Sequence, residues 1–210
     1  MTTKTILETI RYKLTHSNKL FLDKWILDII LWLSQSSYTI ADLVRVGYID
    51  VIKNNTFYLN KLYPRTPNPE AIVGLYCKWQ EYMIGGIGIY NNYGFTTQQA
   101  QKTVIYTTTM SGSKTIAGQR FLFYKKRPSF FYGKIRKTTQ WVDYYVMSRE
   151  RVIIQLVLDH DGIIEYPETI LEQVQNHQIS LSLLNSRSQT HLTSRQKTIL
   201  NHLLWITTHD

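Results

Sequence analysis

The chain has 210 residues, 43% of them hydrophobic, enough to bury a core without covalent staples. Its lone cysteine, Cys77, excludes an internal disulfide framework and a cysteine-rich zinc site. Lys and Arg number 24 against 15 Asp and Glu, and the resulting charge of +9 suits a polyanionic partner. No apolar run approaches the roughly 18 residues of a membrane span, and the N-terminus lacks a basic-then-apolar export pattern, so the sequence reads as soluble and cytoplasmic.

Residues 3–14 predict a helix with Ile6, Leu7, Ile10 and Leu14 on one face. Residues 21–33 predict a more apolar helix, with Phe21, Leu22, Trp25, Ile26, Ile29, Ile30 and Leu33 mostly inward. A third, short helix is expected from Ser37 or Tyr38 to Val46. It would turn Ile40, Leu43 and Val44 in and Thr39, Asp42 and Arg45 out, and Gly47 suits the position past its end. Two β-rich runs, 48–52 and 56–60, then flank Lys53-Asn54-Asn55, a hairpin signal. Three helices followed by a hairpin is the order of a winged helix-turn-helix, whose third helix enters the major groove and whose hairpin is the wing. Subdomains that bind no DNA share that order.

Pro64, Pro67 and Pro69 mark a boundary, giving domains 1–65 and 66–210. Asn68, Pro69 and Glu70 read as N-cap, first helical position and first-turn acid of a helix to about Glu81. The Gly85-Gly86-Ile87-Gly88 segment predicts a tight turn and a short helix, with no evident strand before it. Strand-like runs follow at 103–108, 115–116, 120–124 and 141–147. Helices are expected at 148–158, capped by Ser148, at 167–178, and from a Thr193–Gln196 capping box to about Ile206. The expected fold is α+β: an N-terminal winged helix-turn-helix, then a mixed α/β domain with a helical tail.

The charge is uneven. Residues 111–151 carry ten basic and two acidic side chains, whereas residues 152–210 carry three basic and six acidic. Lys125, Lys126 and Arg127 are the densest part, interleaved with Phe121, Phe123, Tyr124, Phe130, Phe131 and Tyr132. Such a stretch neutralises phosphates and stacks on bases. It equally fits strands with a basic outer face and an aromatic inner one, and both readings stay open.

Catalytic signatures are missing. There is no phosphate-binding glycine loop, no HExxH, and no GxSxG. Gly85-Gly86-Ile87-Gly88 lacks the dinucleotide spacing and reads as close backbone packing. Asp159-His160-Asp161 reads as a helix-ending turn rather than a metal site, and Cys77 as a buried structural thiol. Neither an enzyme nor a cofactor or metal protein is expected.

The segments Asn55–Asn60, Pro67–Ile72, Gly85–Gln98, Val104–Thr109 and Met147–Val157, taken in that order, together resemble the AbiEi-type antitoxins. The wing end Asn55-Thr56-Phe57-Tyr58-Leu59-Asn60 is similar to the family's wing, and Pro67-Asn68-Pro69-Glu70-Ala71-Ile72 to its proline-rich helix opening. The run from Gly85 to Gln98, the strand Val104-Ile105-Tyr106-Thr107-Thr108-Thr109 and the helix from Met147 to Val157 follow in the family's order. The resemblance spans roughly residues 36 to 158. It implies an antitoxin and transcriptional regulator of a type IV toxin–antitoxin, or abortive-infection, system. Its winged helix would bind the operon's own promoter, and its C-terminal domain would help oppose a nucleotidyltransferase-like toxin.

On that reading the DNA contacts are Ser37, Tyr38, Thr39 and Arg45 on the third helix and Lys53, Asn54 and Asn55 on the wing. Lys125, Lys126 and Arg127 either extend the footprint or face an acidic partner. The expected partners are double-stranded promoter DNA and the cognate toxin, with no membrane. The tail stripe Ile199, Leu203 and Ile206 fits either core packing or a homodimer. The alternative is a protein- or RNA-interaction module without sequence-specific DNA binding.

Overall fold

A computed structural model describes residues 3–54, 56–159 and 167–209. These form an α+β architecture in two compact units. One unit comprises residues 1–79 with 115–119 and 138–144; the other comprises 80–114, 120–137 and 145–210.

The first unit runs α1 (Thr3–Thr15), β1 (Phe21–Asp23), α2 (Lys24–Leu33), α3 (Ile40–Arg45), β2 (Ile49–Lys53), β3 (Phe57–Asn60) and α4 (Pro69–Tyr76). Its three strands form one sheet in the order β1-β3-β2. Ile10 and Leu14 of α1, Leu22, Leu27, Leu43 and Ile49 are fully buried in one core cluster, as the 3/4 spacing of α1 predicts.

The predicted second helix is corrected at both its start and its buried face. Residues 21–23 are a strand, with Phe21 opposite Leu59, Leu22 opposite Tyr58 and Asp23 opposite Phe57. The pairing satisfies the backbone groups on the second edge of β3 and buries Leu22 by alternation. The helix therefore begins at Lys24 and buries Leu27, Ile30 and Leu31. Trp25, Ile29 and Leu33, expected inward, are exposed. A helix apolar on nearly every side carries no periodic signal for which side packs.

The third helix starts later than expected because Thr39 caps it. Asp42 N–H donates to Thr39 Oγ1 at 3.3 Å, and Thr39 N–H donates back to Asp42 Oδ2 at 2.9 Å. This reciprocal box leaves Ser37 and Tyr38 ahead of the helix. The end is as predicted: Gly47 has φ +76, and Tyr48 N–H reaches back to the Leu43 carbonyl at 3.0 Å.

The proline-rich segment is tied to the two hairpin tips in its unit. Gln140 Nε2 donates to the Thr66 carbonyl and Gln119 Nε2 to the Pro67 carbonyl, each at 2.9 Å. Asn68, expected to cap α4 with its side chain, instead donates from Nδ2 to Thr139 Oγ1 at 2.8 Å. Pro69 opens α4 as expected, but the helix stops at Tyr76 rather than near Glu81. A Cβ at Gly74 would lie 2.5 Å from the Asp143 carbonyl oxygen, so the bare backbone permits that approach. Cys77 is buried.

The second unit contains β4 (Tyr82–Gly85), α5 (Ile87–Asn92) and β5 (Thr103–Thr107). It also contains most of β6 (Gly112–Ile116), β7 (Gln119–Lys125) and β8 (Lys134–Thr139) and half of β9 (Val142–Met147). The six-stranded sheet has the order β6-β7-β5-β4-β9-β8. β4 is antiparallel to β5 and parallel to β9, while β5 and β7 are parallel, so the sheet is mixed. A strand does precede the glycine segment, contrary to expectation. Gly85 ends it where a Cβ would lie 2.8 Å from both Met147 Cε and Tyr106, which is the close packing the sequence suggested.

Helices α6 (Arg149–Asp159), α7 (Pro167–Gln175), α8 (Leu181–His191) and α9 (Ser194–His209) complete the chain. Ser148 caps α6 as predicted, accepting from Arg151 N–H at 3.3 Å. Residues 150–157 of α6 are all buried. α8 had no counterpart in the sequence reading. α9 opens with the predicted box, Thr193 N–H donating to Gln196 Oε1 at 3.0 Å. The side chains of Leu203 and Ile206, and residues His160 and Asp161, lie outside the described residues.

Candidate nucleic-acid interface

α3 is a one-and-a-half-turn helix held at its start by the Thr39–Asp42 box and from beneath by Leu43. Its outer face carries Arg45, whose side chain is 77% exposed and whose Nη2 lies 2.6 Å from Asp42 Oδ1. Asp42 thus accepts from Thr39 and from Arg45 at once. The Thr39 hydrogen bonds chiefly, and the Arg45 charge as well, hold its carboxyl below the usual carboxylate pKa.

An open cleft of about 560 Å³ lies among α2, α3 and the β2–β3 hairpin. Thr39 and Asn54 both line it, together with Lys24, Asp28, Val44 and Tyr58. Lys24 Nζ donates to Asp28 Oδ2 at 2.7 Å, and that bond raises the lysine's pKa. A second cleft, about 490 Å³, is lined by Trp25, Phe57, Lys78 and Trp79 among others. There Lys78 Nζ lies 4.8 Å from the Phe57 ring centroid.

The expected contact residues fall into three groups. Thr39 and Arg45 belong to α3 or its cap. Lys53 closes β2, and Asn54 is exposed in the turn, while Asn55 lies outside the described residues. Ser37 is exposed ahead of α3, but Tyr38 is half-buried against the core cluster, so its ring supports the fold.

Lys125, Lys126 and Arg127 belong to the second unit. Lys125 ends β7, where Phe121 and Phe123 are buried while Arg120, Tyr124 and Lys125 are exposed. That alternation is the half-buried strand of the sequence analysis. Lys126 lies over the rings of Tyr106 and Phe130, 5.7 and 5.0 Å from their centroids. Arg127 is exposed at the start of the 3-10 turn Pro128–Phe131.

Lys24, Tyr58, Lys78 and Trp79 were missed by the sequence reading. Each sits in a run that reads as ordinary helix or strand, and no spacing signals that the fold turns it into a cleft. Among the described residues no group of His, Cys, Asp and Glu gathers to hold a metal, and no helix is long and apolar enough to cross a membrane.

No protein-family model matches the chain, and no curated protein does. Among solved structures, the chain is similar to the RV2827C protein from Mycobacterium tuberculosis. The match has a TM-score of 0.65 at 10% identity, covering 97% of this chain and 78% of that one. At that identity the likeness speaks for the fold alone.

Proposed function

We propose that residues 1–65 are a winged helix-turn-helix that binds double-stranded DNA, and that the chain acts in the cytoplasm as a promoter-binding antitoxin of a type IV toxin–antitoxin system. In this reading it opposes a nucleotidyltransferase-like toxin and catalyses no reaction itself. The observation that carries the DNA-binding part is α3: a capped helix with Arg45 exposed, sharing a cleft with the hairpin turn through Thr39 and Asn54. α3 meets a major groove, and Lys53 and Asn54 meet the flanking backbone or minor groove. A strand between the first two helices, pairing with the hairpin, is compatible with a winged helix, because it lengthens the wing sheet without displacing α3. The antitoxin part rests on the segmental resemblance between residues 36 and 158.

Binding to the DNA upstream of the protein's own gene, against a scrambled duplex, tests the reading at about 50 and about 200 mM salt. Preferential binding that weakens with salt is expected. Arg45→Ala should weaken it further and flatten the salt dependence by about one unit of log–log slope. Co-expression with the neighbouring toxin gene tests the antitoxin part through rescue of growth.

One observation favours a second reading, a protein-interaction module. Trp25, Ile29 and Trp32 follow at i, i+4 and i+7 on the outer face of α2, all exposed. Equal, weak binding to both duplexes would turn the assignment to this face.

A further inference from the structure

Among the described residues, the largest fully buried side chain is a charged one, Arg151 of α6, 1% exposed. We infer that Arg151 anchors a binding site for a phosphate group in the second unit, supplied either by inorganic phosphate or by a nucleotide. This inference is independent of the DNA-binding reading.

The guanidinium is walled by aromatic rings. Its central carbon lies 4.7 Å from the Phe130 ring centroid and 4.3 Å from that of Tyr132. Tyr132 stacks flat on His191, with centroids 3.5 Å apart and planes 4° off parallel. Such contacts favour the cation but leave its N–H groups unmet. Among the described residues, Arg151 Nε and Nη1 have no hydrogen-bond partner, and neither do the Tyr132 hydroxyl and Gln155 Oε1.

No described carboxylate neutralises the site by contact. Asp159 influences Arg151 through its charge, but its own oxygens accept from Gln155 Nε2 at 2.6 Å and from the Tyr90 hydroxyl at 3.5 Å. A buried charge without a hydrogen-bonded counter-ion is strongly disfavoured. Arginine does not escape by losing its proton. An oxyanion supplies what the N–H groups lack.

Further cations select phosphate over a carboxylate. A Cβ at Gly133, which has φ +67, would lie 3.0 Å from both Arg151 Cβ and Arg187 Nη1, so the bare backbone lets the two arginines flank it. Arg187 Nη1 also bonds Ser148 Oγ at 3.0 Å and lies 3.8 Å from Glu150 Oε2, which only partly offsets its charge. Lys126 lies against the same Phe130 ring as Arg151. Several cations suit a dianion better than a single negative charge, and guanidinium donors match phosphate oxygens. The open acceptor on Gln155 suits a protonated phosphate oxygen or a ligand hydroxyl. Tyr132 and His191 are half-buried and Lys126 is exposed, so the cluster reaches the surface.

The test is thermal unfolding and titration calorimetry of the full chain with inorganic phosphate, AMP and adenosine at constant ionic strength. Phosphate and AMP should each raise Tm, by on the order of 5 °C at about a hundred times Kd, and adenosine should not. A larger shift with AMP identifies a nucleotide; equal shifts identify phosphate alone. Arg151→Met should keep or raise the ligand-free Tm, because it removes an unpaired charge, and should abolish the shift. Tyr132→Phe keeps the ring and removes the hydroxyl; it should leave Tm unchanged and weaken binding about 3-fold or more. Should Arg151→Met fail to fold, Tyr132→Phe decides. No shift with either phosphate compound, or undiminished binding in the folded variants, overturns the site.

Discussion

Asn60, the last residue of β3, donates from Nδ2 to the carbonyl of Leu14 at 2.9 Å, across 46 positions of sequence. The same amide meets the Lys19 carbonyl at 3.1 Å and Ser17 Oγ at 3.3 Å, while its Oδ1 accepts from Leu62 N–H at 3.1 Å. One buried side chain thus joins Ser17 Oγ, at 2.8 Å, on a last-turn carbonyl of α1 and fixes that turn to the sheet. Asn60→Ala should remove these ties while Ser17 Oγ still donates to the Leu14 carbonyl at 2.8 Å, and cost about 1–2 kcal/mol, measured by urea unfolding at unchanged m-value.

The face that α2 buries can be read by a pair of substitutions. Leu27 is fully buried and Leu33 is 53% exposed on the same helix. Leu27→Ala should cost about 2–5 kcal/mol. Leu33→Ala should stay within about 0.5 kcal/mol of the parent. A larger cost at Leu33 than at Leu27 would mean that the helix packs on the face its sequence suggests, with Leu33 inward, rather than on the Leu27 face.

Asp42 links the stability of α3 to pH. Its folded pKa lies below its ordinary value, through the Thr39 hydrogen bonds first and the Arg45 charge less. A depressed carboxylate stabilises the fold fully above the ordinary carboxylate pKa of about 4 and loses that contribution as pH falls through the lower folded value. The Tm advantage of the parent over Asp42→Asn should therefore be constant at neutral pH and shrink below about pH 4. Asp42→Asn also removes the partner charge from Arg45, so on the DNA-binding reading its duplex affinity rises and its salt dependence steepens.

His191 reports on the Arg151 cluster. Burial, and then the charges of Arg151 and Arg187, hold its pKa below the usual histidine value. On acidification the unfolded chain takes this proton first, so stability declines as pH falls from about 6.5 toward the folded pKa and is flat above that range. Titration of the His191 ring protons by NMR should give a value below about 6.5, and Arg151→Met should move it up. A value unmoved by that substitution would separate His191 from the cluster.

Local signals carried much of the fold. The Ile10 and Leu14 stripe, the stop at Gly47, Pro69 at a helix start, Ser148 as a cap and the Thr193–Gln196 box each act within a turn or two of chain, and each operates as read. The alternation of Phe121 and Phe123 with exposed neighbours on β7 was legible for the same reason. Part of the candidate interface was legible too. Thr39 and Arg45 followed from helical periodicity, whereas Tyr38 lies ahead of the helix because the Thr39 cap starts it later than its pattern suggests.

Only the tertiary structure decided the rest. Residues 21–23 are a strand because β3, more than 30 residues later, offers an edge to pair with, and that pairing turns Trp25 and Trp32 outward. β4 exists through neighbours drawn from 103–107 and from 142–147. The Arg151 cluster joins Lys126, Phe130 and Tyr132 to an all-buried helix and to Arg187 and His191 beyond it. Helix stops and caps are written into a few adjacent residues. A sheet edge, a buried face and an unpaired guanidinium are set by which distant segments meet, and no short stretch of sequence encodes that meeting.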